Sequence, residues 1–545
     1  MIRKPQRGRV VTRPKSEKAR RTLHERSRTL SLNLAAKLPW RKKLSKKVAS
    51  DVADGWSATR VKDEQTGLVS FVISGPTKGG DTFSVSIPAE QREEQKRVRK
   101  TLRSYDAALP GQVDDDLAFL EALFDGANVS PRIATSKPAD SGKGFVLGAQ
   151  MLGDAVDRYF WLGDDYSTLG QTSGTREGWN QVGKLLQHSS FATIAVLTVL
   201  ASPVPAYVSL RKSEDPGWRP ALSETAIINI AGESASGKTL AIAVAASLSG
   251  DPYDRAKWDF SRRGLEEYLH TRNQVGAIFD DIEKHTGESM TLRRAIITLT
   301  QSLPDGTSKV VSRVARDLGL PRLTWSTFGL SSSPRPIHEI ARDEGARRSL
   351  GEQVRLIDLC VPSSSRGGIF DAPPPDTRDV AEFSRSAAQE VERGIALHYG
   401  HVMPAWIEVL LADDHAGTLL ASQDHFVKIV ASTGSGYDAR FADKYGLLYA
   451  VSKLAVKHGV LPWTVEWPWI AVYRGYRNAL LAAQGEAALT AKALARLISA
   501  VKEPNHLVAI GEELGSRPPQ LNDRHVGVTL NGASLFRPAQ PIVPV

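Results

Sequence analysis

The sequence predicts an α/β fold in which a central α/β core follows a small α+β domain and precedes a helical domain. Residues 56–88 alternate apolar and polar side chains, residues 225–248 give a strand, a glycine-rich loop and a helix, and residues 381–485 are helical in pattern. The predicted parts are a basic disordered tail (1–50), an N-terminal α+β domain (51–150), a helical linker (151–208), the core (209–371), a helical lid domain (372–485) and a C-terminal extension (486–545).

The positive charge of the chain is concentrated at its N-terminus. Residues 1–50 contain 17 Lys and Arg and only two acidic residues, whereas the whole chain has a net charge of +10. A block of like charge repels itself and attracts polyanions. We therefore expect a disordered tail that attaches to nucleic acid; a solubilising leader is the alternative.

Composition excludes several classes of protein. The single cysteine, Cys360, excludes a disulfide framework and a Cys-rich zinc site. The longest apolar run, residues 191–204, is shorter than a bilayer-spanning helix needs, and the N-terminus lacks the apolar segment of a secretory signal. We expect a cytoplasmic protein without a membrane partner.

A phosphate-binding loop is predicted between a strand and a helix. Residues 232–239 have the pattern G-x-x-x-x-G-K-T, after the apolar run 225–231 and before a helical run, 240–248. In this pattern backbone N–H groups and the helix N-terminus face phosphate oxygens, Lys238 reaches the β- and γ-phosphates, and the Thr239 hydroxyl binds Mg²⁺. A glycine-rich turn with a chance lysine is the alternative. The predicted ATP-binding residues are Gly232, Ser234, Ser236, Gly237, Lys238 and Thr239, and the predicted cofactors are ATP and Mg²⁺.

A second apolar run, residues 275–279, ends in the paired carboxylates Asp280 and Asp281. This is the Walker B arrangement, in which Asp280 would hold Mg²⁺ through its water shell. The next position usually carries a Glu that orients the attacking water. Asp281 is one methylene shorter, so Glu283 is a second candidate for that role. A buried strand that ends in solvated acids is the alternative.

A third apolar run, residues 323–330, leads into a serine cluster. A polar side chain at the end of this strand is where AAA+ ATPases carry the sensor-1 residue, which contacts the γ-phosphate or the attacking water. Ser331 and Ser332 are the candidates for that residue. An ordinary group of serines between a strand and a loop is the alternative.

A fourth apolar run, residues 356–361, is preceded by arginines. In AAA+ rings an arginine at this point lies at a subunit edge, where it can stabilise charge on the neighbour's γ-phosphate. Arg355 is the first candidate, followed by Arg348 and Arg347. Each of them is alternatively a surface ion-pair former.

The segment 305–320 alternates valines with basic residues around glycine-containing turns, which predicts a β-hairpin carrying Lys309, Arg313 and Arg316. Positive charge of this kind binds a nucleic-acid backbone without reading sequence. In ring helicases an insertion here projects into the pore and grips that backbone. A solvated hairpin is the alternative.

Together these motifs resemble an uncharacterised-domain family numbered 927, which is allied to AAA+ helicases. The resemblance covers about residues 55–485. The motifs that carry it, besides the phosphate loop, are Ser173-Gly174-Thr175 with Trp179, Trp258 with Gly264-Leu265-Glu266, Gly306 with Lys309, Gly351 to Leu356, Gly367 to Asp371, His398-Tyr399-Gly400, Arg440-Phe441 and Gly459 to Trp463.

The resemblance implies functional roles that spacing alone does not establish. Some relatives are hexameric helicases of mobile elements, similar to the mini-chromosome-maintenance type, in which an arginine at the start of a strand acts on the neighbouring subunit; Arg355 matches it. Arg440 would be a sensor-2 residue, with a structural ion pair as the alternative. Two departures stand out: Asp281 replaces the usual Glu, and Ser333-Pro334 stands where the family often has Gly-Glu.

The sequence therefore predicts an ATP-driven DNA helicase or translocase, assembled as a homo-hexamer and acting on single-stranded DNA or a forked duplex in replication of a mobile element. Two other classes stay open. One is a non-processive ATPase switch, loader or defence-system component, which the shorter Asp281 favours. The other is a nucleic-acid-packaging or protein-remodelling motor.

Overall fold

The structure is a computed structural model. The described residues are 55–63, 67, 69–109, 113–148, 150–161, 167–213, 225–282, 285, 291–309, 322–343, 348–431, 436–484, 507–509, 527–530 and 533–536. The chain divides into two compact units, Met1–Ile133 and Ala134–Val545.

The first unit is an antiparallel sheet covered by helices. Its strands are β1 (Ser57–Asp63), β2 (Val69–Pro76) and β3 (Thr82–Pro88), and β2 pairs antiparallel with both β1 and β3. A 3₁₀ turn (Ala89–Glu93) leads to α1 (Gln95–Ser104) and α2 (Val113–Asp125). Inward side chains of β3, such as Val85 and Ile87, pack beneath these helices. Arg99 and Arg103 of α1 both pair with the buried carboxylate of Asp116 in α2.

A strand, β4 (Asn128–Thr135), crosses from the first unit into the second. The second unit continues with a small antiparallel sheet and a group of helices. Its elements are β5 (Ala139–Asp140), β6 (Gly144–Leu147), β7 (Gln150–Gly153), α3 (Ala155–Arg158), β8 (Tyr159–Trp161), α4 (Arg176–Leu185), α5 (Ser190–Ala201) and α6 (Val204–Lys212).

The single long helix that the apolar pattern suggests over residues 179–201 is interrupted. A 3₁₀ turn at Leu186–His188 separates α4 from α5, and Ser189 at φ −139° caps α5. Its hydroxyl accepts from Ala192 N at 3.0 Å and donates to Ile369 O at 2.6 Å. A serine that caps a helix satisfies an N–H group left over at its start, so the helix restarts at this point.

Among the described residues, the helical stretch Ser190–Lys212 is long and apolar enough to cross a membrane by length and composition alone, and its most apolar 18-residue window has a mean hydropathy of 1.8. However, 89% of its apolar window is buried inside the protein, as in a core helix.

The core of the second unit is a parallel sheet with the strand order β10-β11-β12-β9-β13 in the described ranges. Its strands are β9 (Ile227–Ala231), β10 (Ala256–Lys257), β11 (Ala277–Asp280), β12 (Gly329–Ser333) and β13 (Leu356–Cys360). The helices between them are α7 (Lys238–Ala246), α8 (Arg262–Thr271), α9 (Leu292–Asp305), α10 (Ile337–Asp343) and α11 (Leu350–Gln353). Strands covered on both faces are near-continuously apolar, which explains the runs found in the sequence.

One predicted strand is displaced. The sheet strand occupies residues 329–333 rather than 323–330, so the serine cluster forms its second half. The earlier residues pair elsewhere: Trp325 N donates to Gly306 O at 2.9 Å, and the Trp325 indole donates to Leu303 O at 3.0 Å. These bonds hold residues 323–325 against the end of α9, away from the sheet.

The C-terminal part of the second unit is helical, as predicted. It contains α12 (Val380–Leu397), α13 (Val402–Ala412), α14 (Ala416–Val430), α15 (Gly436–Lys457) and α16 (Trp467–Gln484), followed by the strands β14 (Leu507–Ala509), β15 (Gly527–Leu530) and β16 (Ala533–Phe536). Helix α16 lies along β13 at the edge of the parallel sheet. There the Asn478 amide accepts from Cys360 N at 2.7 Å and donates to Cys360 O at 2.8 Å.

Candidate nucleotide-binding site

The candidate site lies where the parallel strands end. Strands that run in parallel bring their carboxyl ends to one edge of the sheet, and ligands of open α/β sheets bind outside that edge. Here the loops after β9, β11, β12 and β13 meet. These loops carry the predicted phosphate loop, the acidic pair and the residues that follow the serine strand.

The predicted phosphate loop makes a tight turn between β9 and α7. Gly237, at φ +91°, directly precedes the helix, and a Cβ atom added there would lie 2.8 Å from Ile369 Cγ1. Ser236 is buried, and its hydroxyl donates to Glu233 O at 2.8 Å. Glycine is thus required at position 237 by backbone angle and by space, as a close phosphate-loop turn demands.

The loop rests on the segment that follows β13. Ile369 N donates to Ser236 O at 2.9 Å, and Ser364 N donates to the Glu233 carboxylate at 3.0 Å. Neither Glu233 nor residues 364–369 were among the predicted site residues, because these contacts join segments 130 residues apart and leave no local pattern. These two hydrogen bonds hold the loop against the segment that follows β13.

Two polar residues, Lys238 and Thr239, are the first residues of helix α7. Lys238 Nζ donates to Glu233 O at 2.7 Å, so its ammonium group lies over the loop. Thr239 is exposed in the first turn of α7, and Ser234 is exposed in the loop itself. An ammonium group, a hydroxyl and a helix N-terminus at one turn suit a phosphate group chemically.

The acidic pair lies at the end of the neighbouring β11. Asp280 is buried, and its Oδ2 lies 3.8 Å from Nη1 of Arg255, a residue that the sequence gave no reason to select. Asp281 follows in a left-handed conformation, at φ +42°. Its backbone N donates to Ser332 Oγ at 3.1 Å. The two carboxylates therefore stand in different environments, one within the sheet and one at a turn.

The serine strand β12 directs its three hydroxyls to three different groups. Ser331 accepts from the Trp258 indole at 2.9 Å, and Ser332 accepts from Asp281 N. Ser333 accepts from Asn229 Nδ2 at 2.8 Å and donates to Arg335 O at 2.6 Å. All three serines are buried. The strand therefore connects the acidic pair on one side with the phosphate-loop strand on the other.

A buried charge network occupies the other side of β9. Asp358 accepts from Asn229 Nδ2 at 2.8 Å and from Ile337 N at 3.0 Å, and Arg348 Nη1 lies 3.3 Å from it. Burial by itself would raise the pKa of Asp358. The hydrogen bond with His338 and the charge of Arg348 outweigh it, so the pKa lies below its usual range.

The arginine candidates differ in position. The side chain of Arg348 is only 6% exposed and also donates to Glu352 O and Leu356 O, which makes it an internal ion-pair residue. Arg355 is half-buried directly before the edge strand β13, and its carbonyl accepts from Ile227 N at 2.8 Å. Arg440 is exposed near the start of α15. Arg347 and Glu283 lie outside the described residues.

The first residues of the segment predicted as a basic hairpin pair with residues 323 and 324, which lie beyond that segment. Thr307 and Thr324 form an antiparallel bridge, and Ser308 N donates to Leu323 O at 2.9 Å. Lys309 follows with an exposed side chain, while its backbone N donates to the Glu266 carboxylate at 3.2 Å. Arg313 and Arg316 lie outside the described residues.

Among the described residues, no group of three or more His, Cys, Asp or Glu side chains is arranged to hold a metal ion. Thr239 and the acidic pair supply oxygen donors at this edge of the sheet. Hard oxygen donors of this kind suit Mg²⁺, which usually keeps several waters and relies on one or two carboxylates plus substrate phosphates.

Comparison with known proteins gives a family match and a similarity of fold. Residues 58–313, slightly less than half of the chain, match the family model described as "Domain of unknown function (DUF927)". The chain is similar to a solved structure described as "SCCmec type IV Cch - active helicase", with 16% identity and a TM-score of 0.57 over 87% of this chain and 82% of that one. The molecule thus has the general fold of that helicase.

A second solved structure, "The A form apo structure of NrS-1 C terminal region-CTR", aligns at 9% identity over 80% of this chain and 94% of that one. Its TM-score of 0.24 is too low to support an argument. No curated protein matches the chain significantly.

Proposed function

We propose that this chain is an ATPase of the AAA+ class that acts as a DNA helicase or translocase in replication of a mobile element. The single observation that carries the proposal is the position of the Gly237–Lys238 turn, which stands at the same sheet edge as Asp280 and Asp281. The similarity of fold to an active helicase supports the choice of DNA as the substrate.

The residues at the loop fit ATP and Mg²⁺. Lys238 and the N–H groups at the start of α7 would bind the β- and γ-phosphates, and Thr239 with Asp280 would hold Mg²⁺. The metal would neutralise charge on the phosphates. Asp281 or Glu283 would orient the attacking water and accept its proton.

Arg355 supports assembly into a ring. It precedes the edge strand of the sheet, and an arginine there would act on the γ-phosphate of an adjoining subunit, where such a group contributes ~10³-fold or more in rate. We therefore propose a homo-hexamer. Arg440, exposed on α15, would be a sensor-2 residue from the helical region.

Lys309 supports binding to a nucleic-acid backbone. Its side chain is exposed next to the Thr307–Thr324 bridge, and the sequence continues with Arg313 and Arg316. We propose that ATP hydrolysis moves this segment and so pulls single-stranded DNA or one strand of a fork. Positive charges in such a position bind the phosphates without reading bases.

Steady-state ATPase activity tests the proposal, measured with and without single-stranded DNA for the wild type, Lys238→Ala and Arg355→Ala. We expect DNA to stimulate the wild type strongly and both variants to lose that activity. Unwinding of a forked duplex by the wild type, with Lys238→Ala as the inert control, would then distinguish a helicase from a translocase without strand separation. ATPase activity that ignores DNA would contradict the DNA motor.

One observation favours a second function, an ATP-gated switch or loader. Asp281 is shorter than the usual Glu and sits in a left-handed conformation. Such a site would bind ATP and hydrolyse it slowly. Tight ATP binding, together with a turnover that DNA does not accelerate and no strand separation, would support the switch over the motor.

A further inference from the structure

Asp281 has a backbone conformation that few residues in this chain share, because only four non-glycine residues of the described part have a positive φ. A φ of +42° lies in the left-handed region, which side chains other than glycine, asparagine and aspartate rarely adopt. Such strain persists only where surrounding groups hold it, and it is concentrated at functional sites. Asp281 directly follows Asp280 at the sheet edge where the phosphate loop lies, so the strain is located beside the reacting groups.

The Ser332 side chain, on the neighbouring strand, contacts this turn. The Ser332 hydroxyl accepts from Asp281 N at 3.1 Å, and Ser332 is only 1% exposed. The register of the sheet pairs Phe279 with Ser331, which places Ser332 beside the end of β11. Side chains alternate along a strand, so Ser331 points to the other face, where Trp258 holds it.

We propose that Ser332 is a positioning residue, which acts on hydrolysis by holding the backbone of Asp281 and not by touching the γ-phosphate. The hydrogen bond holds the peptide plane between Asp280 and Asp281, and that plane sets the position from which the Asp281 backbone and its carboxylate leave the end of β11. A shorter acid than Glu reaches a water only if its backbone is placed accurately, and a misplacement of about 1 Å costs about 10²-fold in rate. This inference rests on the proposed ATPase function.

Two sets of measurements separate this role from a sensor that contacts the γ-phosphate. A sensor residue contacts the γ-phosphate, which ADP lacks. Its removal therefore raises the Kd for ATP and leaves the Kd for ADP unchanged. A positioning residue changes only the turnover step, so kcat falls while both Kd values stay. In addition, the bond from Asp281 N to Ser332 joins two groups of the protein itself, so its loss can be measured on the protein alone.

The test compares Ser332→Ala with Ser332→Thr, which keeps a hydroxyl. We expect Ser332→Ala to lower kcat about 10- to 100-fold, with Kd values for mant-ATP and mant-ADP within twofold of wild type, and Ser332→Thr to retain most of the activity. In an Asp281→Asn background, Ser332→Ala should cause no further loss of kcat, because the carboxylate that it positions is gone. Ser452→Ala removes another buried serine hydroxyl, in α15, and serves as the matched control.

Hydrogen exchange of the peptide covering residues 277–282, measured without nucleotide, provides a readout independent of activity. Ser332→Ala should show one more fast-exchanging amide there than the wild type or Ser332→Thr. An unchanged kcat, a Kd that rises for ATP alone, or unchanged exchange would each overturn the proposal. If the wild type neither binds nor hydrolyses ATP, the proposed function fails, and the exchange result still decides whether Ser332 holds Asp281.

Discussion

Asn229 donates one side-chain amide group to both Asp358 Oδ1 and Ser333 Oγ, at 2.8 Å in each case. These two hydrogen bonds join three adjacent strands, β12, β9 and β13, and β9, which precedes the predicted phosphate loop, lies in the middle. A polar residue inside an apolar strand would normally destabilise it. Here each donated hydrogen bond compensates for burial, and the strand that carries the loop is fixed to both neighbours.

The first prediction concerns the pH dependence of this network. The pKa of Asp358 is depressed in the folded state by His338 and Arg348, in spite of burial. The carboxylate therefore contributes stability that is fully present above its unfolded pKa of about 3.9 and is lost as pH falls through the lower folded value. Asp358→Asn should destabilise the protein by about 3–5 kcal/mol at pH 7, because it leaves Arg348 buried without its charge partner.

Denaturant unfolding at pH 7 and at pH 3 measures this effect, and the difference between Asp358→Asn and the wild type should narrow at the lower pH. Asp343→Asn is the control, since Asp343 pairs with Arg335 on the surface and its loss should cost less than about 1 kcal/mol. An equal loss at both pH values would show that the charge of Asp358 is not the cause.

The second prediction concerns the phosphate loop. Gly237→Ala places a Cβ atom 2.8 Å from Ile369 Cγ1 at a φ of +91°, so the loop must shift. We expect a loss of about 1–2 kcal/mol in stability and of most binding of mant-ATP. Gly417→Ala is the matched control, because nothing lies within 4 Å of a Cβ there and a helical alanine should stabilise by about 0.5–1 kcal/mol. Normal nucleotide binding by Gly237→Ala would contradict the assigned turn.

The third prediction concerns the edge of the sheet. Asn478 satisfies both the N–H and the C=O of Cys360 on the free side of β13. Asn478→Ala leaves both groups without these bonds, which should cost about 1–3 kcal/mol in thermal or denaturant unfolding and increase aggregation through the open edge. Arg477→Ala, an exposed neighbour on α16, should stay within about 0.5 kcal/mol of the wild type. Equal stability of the two variants would show that Asn478 does not protect the edge.

The features that could be predicted from the sequence are those that residues close together in the chain determine. The strand, turn and helix at residues 227–246 could be predicted because strand, glycines, lysine and helix are contiguous, and the α/β class with a helical C-terminal region followed from apolar periodicity. The end of β12 was misplaced because Ser331 to Ser333 look like a loop. Their hydroxyls are satisfied by Trp258, Asp281 N and Asn229, and such long-range partners cannot be located from one sequence. The burial of Arg348 and its pairing with Asp358 could not be predicted, for the same reason.

The fourth prediction concerns DNA binding by Lys309. If its exposed ammonium group contacts a phosphate, Lys309→Ala should weaken binding of single-stranded DNA of any sequence and lower the slope of log K against log salt by about 0.7. Fluorescence anisotropy at several salt concentrations measures this slope. Lys428→Ala removes an exposed lysine on α14 that is paired with Asp424, and its slope should match the wild type. A Lys309→Ala slope equal to that of the wild type would remove this lysine from the DNA path.

The fifth prediction tests whether Arg355 acts on a neighbouring subunit. In a ring, one subunit supplies the phosphate loop and the next supplies the arginine, so Lys238→Ala and Arg355→Ala damage opposite sides of each interface. Each variant alone should be inactive. In a randomly mixed ring, about a quarter of the interfaces combine an intact Lys238 with an intact Arg355, so mixing should restore ATPase activity to that order.

Arg335→Ala, which removes a surface arginine paired with Asp343, should keep wild-type activity and serves as the control. The result of mixing depends on whether Arg355 acts in its own subunit or in the neighbouring one. An arginine that acts within its own subunit leaves every mixed subunit with one defect, so the mixture would be no more active than its components. Such an outcome would place Arg355 in the site of its own chain and remove the main reason for expecting a ring.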